Sequence, residues 1–294
     1  MWDKFLDCLL DAGIDSIKLL PFLFLTYVVM EYIEHKMGAK SKAAIQKAGH
    51  FGPLAGGLLG IVPQCGFSTV AANLYAGRII TLGTLLAVFL STSDEMLPIF
   101  VSEAVPFITI AKIIGIKCLV AVIMGFLVDI VLRLFQMEPK EEMMSGHLCE
   151  HDHCHCEEGG IVRPALVHTV KILLFIFIIS ILLNVLIVLI GEDTLRNLIG
   201  TKTVLASFAA GLLGLFPNCA ASVVITELYL EQVISVGAMF SGLLVSAGVG
   251  LLVLFKVNHE HRMENIKILL LLYAIGVSMG CLIEVLLPVL GIEL

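Results

Sequence analysis

One twelve-residue pattern occurs twice in this chain, and it constrains the fold more than any other feature. Residues 57–68 and residues 211–222 share the sequence G-L-L-G-x-x-P-[Q/N]-C-x-x-S without a gap, at an offset of 154 residues. Each copy then continues to a Leu-Tyr pair, at residues 74–75 and 228–229. A match of this length is not expected by chance, and it indicates an internal duplication.

The sequence around the two copies is too apolar for a water-soluble domain. Hydrophobic residues make up 59 % of the chain and charged residues only 15 %, and the mean hydropathy is +1.01. Five apolar runs reach the ~20 residues that an α-helix needs to cross a bilayer core. These runs are Ile14–Ile33, Ile113–Phe135, Leu166–Ile190, Val233–Phe255 and Ile266–Leu290. We therefore expect an all-α integral membrane protein, multi-pass, in a cell membrane of the bacterial inner-membrane type.

Basic residues are concentrated in three segments that flank the apolar runs, namely residues 35–47, 133–163 and 256–267. Basic flanking segments prefer the cytoplasm. All three can face the cytoplasm if each half crosses the membrane an odd number of times, and the halves then insert in opposite orientations. About ten transmembrane helices, five in each half, are the simplest solution. This predicts a first repeat over residues 1–135, a cytoplasmic loop over 136–163 and a second repeat over 164–294.

Each copy of the pattern also predicts a broken helix. Pro63 and Pro217 remove a helix hydrogen bond, and Gly60 and Gly214 allow close backbone approach. The free backbone groups at such a break bind ions, and paired breaks mark a transport site near the membrane centre. The alternative is two proline kinks with small residues for helix packing. The predicted substrate-binding residues are Gln64, Cys65, Ser68, Asn218, Cys219 and Ser222.

Two acids, Asp94 and Glu95, interrupt an apolar run in the first half, whereas residues 245–250 of the second half carry no charge. Charge inside a membrane is costly and therefore usually functional. We expect these two acids to bind a divalent metal or to carry a counter-transported proton. If they lie at the membrane surface, they form an ordinary helix cap together with Ser91 and Ser93.

The segment between the two halves is dense in metal-ligating side chains. It holds four of the nine histidines and three of the eight cysteines. Such mixed ligands suit Zn(II), Cu or Ni, and thiolates also suit As(III). The spacing lacks the second ligand pair of a zinc finger, which favours a flexible cytoplasmic chelator over a folded module or an incidental polar linker. The predicted ligands are His147, Cys149, His151, His153, Cys154, His155 and Cys156.

The paired G-x-x-P-[Q/N]-C segments, the stretch at residues 91–98 and the Cys/His-rich loop together resemble one known family. This is the family of ten-helix heavy-metal exporters, whose members have been labelled arsenic efflux proteins and manganese transporters. The resemblance covers essentially the whole chain. It implies a ten-helix architecture and the export of a metal ion, and it brings no list of site residues.

The sequence also excludes several function classes. Residues 200–203 contain Lys and Thr but lack the glycine spacing of a phosphate-binding loop. Transport would therefore be secondary, with protons as a coupling ion, or passive, and no cofactor is required. The net charge of −7 argues against nucleic acid as a partner. The expected partners are the lipid bilayer, the metal ion as cargo or loop ligand, and a second copy in a homo-oligomer.

Ligand chemistry leans towards a divalent cation such as Mn(II) or Zn(II). Imidazoles suit divalent metals, whereas three-coordinate As(III) needs thiols. An arsenite or organoarsenical efflux permease is the alternative cargo class. A membrane metal sensor and an intramembrane enzyme are alternatives of other classes. An enzyme is not expected, because neither Cys65 nor Cys219 has an intramembrane histidine next to it in sequence.

Overall fold

The structure is a computed structural model that describes residues 49–62, 65–93, 96–135, 204–217 and 219–289, with scattered helical positions at 13–28 and 166–181. In these residues the secondary structure is helical and contains no strand. Ten α-helices occur: α1 Gly52–Leu59, α2 Cys65–Ala76, α3 Leu82–Ser91, α4 Met96–Ser102, α5 Phe107–Leu134, α6 Val204–Gly214, α7 Cys219–Leu230, α8 Val236–Val245, α9 Gly250–Val257 and α10 Arg262–Val289. The predicted all-α fold class is confirmed.

The helices α1–α5 and α6–α10 recur in the same order and at nearly the same lengths. α2 and α7 each span 12 residues, and α3 and α8 each span ten, at the 154-residue offset of the sequence pattern. α5 and α10 each span 28 residues, at an offset one residue greater. The duplication therefore extends well beyond the conserved twelve residues to the last helix of each half.

α2 and α7 also end in the same way. Arg78 and Gln232 follow these helices at equivalent positions and have positive φ angles of 56° and 59°. The amide of Arg78 donates to the carbonyl of Tyr75, and the amide of Gln232 donates to that of Tyr229, both at 2.9 Å. A left-handed residue at this place ends a helix by satisfying its last carbonyls. The chain therefore turns back identically in both halves.

The sequence allowed either one span kinked at Pro63 or two half-helices that meet there. The structure shows two half-helices, α1 and α2. α1 runs in the same direction as α3, because Gly52 lies against Thr84 and Gly60 lies against Ser91. Only residues 77–81 connect α2 to α3. Both ends of the α1–α2 segment therefore lie at the N-terminal end of α3, and the segment forms a hairpin.

Four helical stretches of the described residues are long and apolar enough to cross a membrane: Leu82–Ser102, Phe107–Leu134, Val236–Val257 and His259–Val289. The first and third stretches are interrupted, at residues 92–93 after α3 and at residues 246–249 between α8 and α9. α3 and α8 are buried along almost their whole length. α5 and α10 bury one face and expose apolar side chains on the other. The interrupted spans are therefore central in the described part of the chain, and the uninterrupted ones lie nearer its surface.

A carboxylate from the long helix caps the central helix in each half. Asp129 of α5 accepts hydrogen bonds from the Gly83 amide at 2.8 Å and from the Thr81 hydroxyl at 2.7 Å, at the start of α3. Glu284 of α10 accepts one from the Gly237 amide at the start of α8. Helix N-termini carry unpaired N–H groups and partial positive charge, which these acids satisfy. Each long helix therefore runs antiparallel to the central helix that it caps.

The two halves interlock through their short helices. α2 of the first half packs on α9 of the second, and α7 packs on α4 in the equivalent way. Gly250, the first residue of α9, lies directly on Ser68 of α2. Phe100 of α4 meets the ring of Tyr229 of α7 edge-on, with centroids 6.2 Å apart. The interruptions of the central spans consequently lie at the contact between the halves.

Candidate functional site

Buried polar side chains line the contact between the two halves. α2 contributes Ser68, Thr69 and Asn73, and α7 contributes Ser222 and Thr226, all of them buried. Asn73 donates to the carbonyl of Thr69 at 3.0 Å, and Thr226 donates to the carbonyl of Ser222 at 2.7 Å. Ser68 and Ser222 are two of the residues that the sequence predicted for the site. They occupy equivalent interior positions.

One polar atom at this contact has no visible partner. Within the residues that the structure describes, the hydroxyl of Thr69 is buried and makes no hydrogen bond. Buried hydroxyls are nearly always paired, and an ordered water or a bound group is among the partners that such an exception can have. The equivalent position on α7 is Val223, which has no hydroxyl. Sequence reasoning missed Thr69 because it lies one residue outside the repeated pattern.

The interruption after α3 lies in the interior and not at the surface. Ser91, Thr92 and Ser93 are each no more than 4 % exposed, and Met96 on the far side is fully buried. The hydroxyl of Thr92 donates to the carbonyl of Val88 at 2.7 Å, and the same carbonyl accepts from the Thr92 amide at 3.0 Å. A surface helix cap, the alternative for this stretch, requires exposed neighbours. The described neighbours are buried and do not have that exposure.

A lysine that sequence reasoning overlooked lies at the same contact. Lys117 of α5 is 1 % exposed, and its ammonium donates to the carbonyl of Thr92 at 2.5 Å and to the carbonyl of Leu243 at 3.0 Å. Thr92 belongs to the first half and Leu243 to the second. A charged group in a membrane interior is costly and usually functional. Its position inside the apolar run 113–135 was the signal that could have revealed it.

A second charged group ties the halves together at one end of the molecule. Arg78, in the turn after α2, donates to both carboxylate oxygens of Glu264 at 2.6 and 2.7 Å. The hydroxyl of Tyr75 donates to the same carboxylate, and the Arg78 guanidinium lies 5.4 Å from the centre of the Tyr75 ring. Hydrogen bonds to Glu264 raise the pKa of Arg78 above its ordinary value. The end of α2 is thus joined to the start of α10.

The two residues equivalent to Arg78 and Glu264 in the other half are uncharged. Gln232 stands where the first half has Arg78, and Thr109, the third residue of α5, matches Glu264, the third residue of α10. Tyr229, which matches Tyr75, packs instead against Phe100. The two ends of an otherwise repeated scaffold therefore differ in how they hold the halves together.

Several predicted site residues lie outside the described residues. These are Gln64, Asp94, Glu95 and Asn218, and the loop ligands His147, Cys149, His151, His153, Cys154, His155 and Cys156. Cys65 and Cys219 are the first residues of α2 and α7, and their side chains are not described. Among the described ranges, no group of three or more His, Cys, Asp or Glu side chains could hold a metal ion.

Comparison with known proteins identifies a family. A family model described as "Putative, 10TM heavy-metal exporter" matches residues 4–193, which include the first half, the central loop and the start of the second half. No curated protein and no solved structure matches the chain. The match covers more than half of the chain, and the multi-span helical architecture agrees with it. The chain therefore belongs to this family of ten-span heavy-metal exporters.

Proposed function

We propose that the chain is a secondary-active transporter that exports a divalent transition-metal ion, such as Mn(II) or Zn(II), through the contact between its halves. One observation carries this proposal. The interrupted spans α3–α4 and α8–α9 lie in the interior and pack crosswise on α7 and α2 of the opposite half, with polar side chains between them. Irregular backbone is tolerated at membrane depth only where protein buries it or where it lines a path.

The direction of the helices supports an inverted-topology repeat. Asp129, near the C-terminal end of α5, contacts Gly83 at the start of α3. Arg78, just before the start of α3, contacts Glu264 at the start of α10. The C-terminal end of α5 and the N-terminal end of α10 thus lie at the same end of the molecule. Because α5 and α10 are equivalent helices, the two halves would cross the membrane in opposite directions, as alternating access requires.

The proposed cargo site combines residues from the broken helical segments of both halves. Its ligands are Gln64, Cys65 and Ser68 from the first half, Asn218, Cys219 and Ser222 from the second, and Asp94 and Glu95 from the interruption of the first central span. The burial of Ser68, Ser222 and the residues around the acid pair supports this choice. The unpaired Thr69 hydroxyl adds one oxygen ligand of the kind that divalent cations accept.

Charge balance is the reason that this proposal assigns both acids to a divalent cargo. If a divalent cation were bound about 6 Å from the Lys117 ammonium, the repulsion would be on the order of 5 kcal/mol at an effective dielectric constant of about 20. Two carboxylates, from Asp94 and Glu95, would offset this repulsion. One of them would also accept the coupling proton when the cation leaves, so that export is exchanged for proton entry.

The loop at residues 136–163 would capture the metal on the cytoplasmic side and deliver it to the path. Its seven histidine and cysteine ligands support capture and not translocation, because they are supplied by a segment between the two repeats, 1–135 and 164–294. In this proposal the protein is a multi-pass protein of a bacterial-type inner membrane that also forms homo-oligomers.

The Lys117 ammonium favours one second candidate, the efflux of arsenite or an organoarsenical. Trivalent arsenic hydroxide is neutral at pH 7, so the buried ammonium does not repel it. Thiolates are its preferred ligands, and Cys65 and Cys219 would provide one from each half. In this case the two acids would serve coupling alone.

Flux in vesicles that contain only the purified protein tests the proposal. A proton gradient should drive uptake of Mn(II) or Zn(II) into inside-out vesicles, while arsenite under the same gradient should not accumulate. Arsenite accumulation without divalent flux would select the second candidate. Metal binding without flux of Mn, Zn, Ni, Cu or arsenite, in protein that is folded, would contradict transport and point to a membrane metal sensor.

A further inference from the structure

We propose that Tyr75, Arg78 and Glu264 form a gate, which closes the contact between the two halves at one end and must separate for that end to open. The inference rests on the proposed path between the halves, and it adds a device that controls access to this path. None of the three residues belongs to the proposed cargo site.

The helices α2 and α9 lie side by side and run in the same direction. Gly250, the first residue of α9, is so close to α2 that a Cβ added there would lie 2.7 Å from the Cβ of Ser68. Tyr75 lies seven residues further along α2, a rise of about 10 Å. Its hydroxyl bonds Glu264, which follows the end of α9. The two helices therefore extend together from the interrupted centre to one end of the molecule.

The contact between α2 and α9 is closed to solvent over this length. Ser68 and Ala72 are fully buried, and Tyr75 is 4 % exposed. Exposure begins at the ion pair, where the side chains of Arg78 and Glu264 are 10 % and 24 % exposed. The three residues of the gate therefore lie at the outer edge of a closed contact, where a path between the halves would reach water.

Each member of the gate contacts both of the others. Arg78 donates to the two carboxylate oxygens of Glu264 at 2.6 and 2.7 Å, and the Tyr75 hydroxyl donates to the same carboxylate. The guanidinium lies 5.4 Å from the centre of the Tyr75 ring. Tyr75 and Arg78 belong to the first half and Glu264 to the second, so each of these hydrogen bonds joins one half to the other. A bidentate, charge-assisted pair of this kind fixes one geometry.

The exposure of the ion pair makes the gate reversible. A fully buried pair leaves costly unpaired charges when it breaks. Both charged side chains of the gate already reach solvent, so water can hydrate them when the halves part. In transporters built from inverted repeats, one repeat moves against the other around a central site. A bond between the repeats at one end must then break when that end opens.

The basic segments indicate which side of the membrane this gate closes. Glu264 lies within the basic segment 256–267. The C-terminal end of α5, which leads into the basic segment 133–163, lies at the same end of the molecule. Basic flanking segments prefer the cytoplasm. In this proposal the gate therefore closes the cytoplasmic entrance of the path.

A buried reporter on α2 tests whether the gate keeps this end closed. The reporter is Ala72→Cys in a background without the eight native cysteines. Position 72 shares a face of α2 with Ser68 and Tyr75, because residues four and seven positions apart lie on one side of a helix. The measurement is the reaction rate of this thiol with N-ethylmaleimide in purified protein. Arg78→Gln should raise the rate about tenfold or more, since loss of a closing contact increases the open population.

Asp129→Ala is the matched control for this labelling. It removes two hydrogen bonds at the same end of the molecule, and both lie within the first half. The labelling rate should stay within about twofold of the parent. Equal rises in Asp129→Ala and Arg78→Gln would mean general loosening, and no rise in Arg78→Gln would mean that the pair does not hold this end closed. Either result overturns the gate. If Arg78→Gln does not fold, Tyr75→Phe replaces it and should raise the rate about threefold.

A reversible cross-link distinguishes failure of the gate from failure of the proposed function. Arg78→Cys with Glu264→Cys, joined by a bifunctional methanethiosulfonate, should lose metal flux in vesicles and regain it after reduction. Thr81→Cys with Asp129→Cys, joined in the same way within the first half, should keep its flux and controls for modification of native cysteines. Flux that persists across the cross-linked gate would overturn the gate and leave transport intact. Absence of flux in wild type would contradict the proposed function, and the labelling rates would still decide whether this end opens.

Discussion

The two halves of this protein have the same helices and different charges. The helix lengths, the left-handed turns after α2 and α7 and the acid caps on α3 and α8 all recur. The charged groups at the contact do not recur, since Lys117 is matched by Leu272 and the acid pair at 94–95 by uncharged residues. Both halves need the same packing residues, because each half forms the same helices. A charged group at the contact between the halves is needed only once in the molecule.

The two ends of the molecule also differ in charge although their helices are equivalent. At one end a guanidinium, a carboxylate and a phenol join the halves, and at the equivalent place Gln232 and Thr109 stand instead of Arg78 and Glu264. An ion pair that is mostly buried holds its two helices more firmly than neutral groups do.

We expect the largest effect on transport from the acid pair, because it is where the interruptions of the two central spans differ. Asp94→Asn or Glu95→Gln leaves one carboxylate to offset the Lys117 ammonium and a divalent cargo. Loss of one charged interaction of about 2–3 kcal/mol lowers export about 30- to 150-fold. Val249→Ala in the uncharged interruption of the second half is the matched control, with nearly unchanged flux. The measurement is Mn(II) or Zn(II) flux in vesicles, and equal flux in all three variants would contradict a cation path at the acid pair.

Substitution of the two thiols at the starts of α2 and α7 distinguishes a soft-ion cargo from Mn(II). If the thiols bind cargo, Cys65→Ser and Cys219→Ser should each reduce export of As(III) or Zn(II) by about tenfold or more, because soft ions prefer thiolate to hydroxyl. For Mn(II) the same changes should be mild. A resistance panel with Mn, Zn, Ni, Cu and arsenite measures this. If both thiol variants and both acid variants match wild type for every ion, a site built from the repeats is wrong.

Making the two ends alike should lower stability at the charged end. Arg78→Gln removes a bidentate pair whose side chains are 10 % and 24 % exposed, and leaves Glu264 partly buried. We expect a loss of about 2 kcal/mol in the free energy of unfolding, since exposure screens part of the interaction. Gln232→Ala at the equivalent position should change it by less than about 0.5 kcal/mol. Equal Tm shifts in the two variants would show that the ends do not differ in strength.

The acid caps should contribute unequally despite their equivalence. Asp129 accepts two hydrogen bonds and is buried, whereas Glu284 accepts one and is exposed. Asp129→Ala should cost about 2 kcal/mol and Glu284→Ala about 1 kcal/mol, in line with the loss of a helix N-cap. Thermal unfolding of the two variants measures this order. A larger cost for Glu284→Ala would mean that burial does not set the strength of these caps.

The smallest effect on transport is expected from the segment between the halves. Replacement of its three cysteines by Ser and its four histidines by Ala should raise the metal concentration for half-maximal flux a few-fold, since capture and not translocation is lost. Maximal flux should persist. Complete loss of flux in a folded variant would place these residues in the path itself.

The sequence predicted the duplication, the breaks and the interior positions of Ser68 and Ser222 because these depend on local pattern. Glycine and proline at fixed spacing in apolar sequence are typical of a membrane helix that is kinked or broken. Whether α1 and α2 form a hairpin could not be predicted, since Pro63 suits a kinked span equally well. The hairpin is defined by the contact of Gly52 with Thr84, which depends on the direction of a neighbouring helix.

The charged groups escaped prediction for a different reason. Lys117 lies in a long apolar run whose average hydropathy conceals a single charge. The partner of Arg78 is 186 residues away in sequence, on the other half, and no local pattern connects them. The acid pair at 94–95 was predicted from sequence because it visibly interrupts an apolar run. Neither Lys117 nor Arg78 interrupts its surroundings in this way.

Cysteine accessibility shows whether the two halves are inserted in the membrane in opposite orientations. Two variants would each retain one cysteine, native Cys154 in the loop or Gln232→Cys in the exposed turn after α7, with the other cysteines replaced. An impermeant maleimide applied to intact cells should label the Gln232→Cys variant at once and should label Cys154 only after permeabilisation. Labelling of both variants from the same side would contradict two oppositely oriented halves, and with them a path formed where the halves cross.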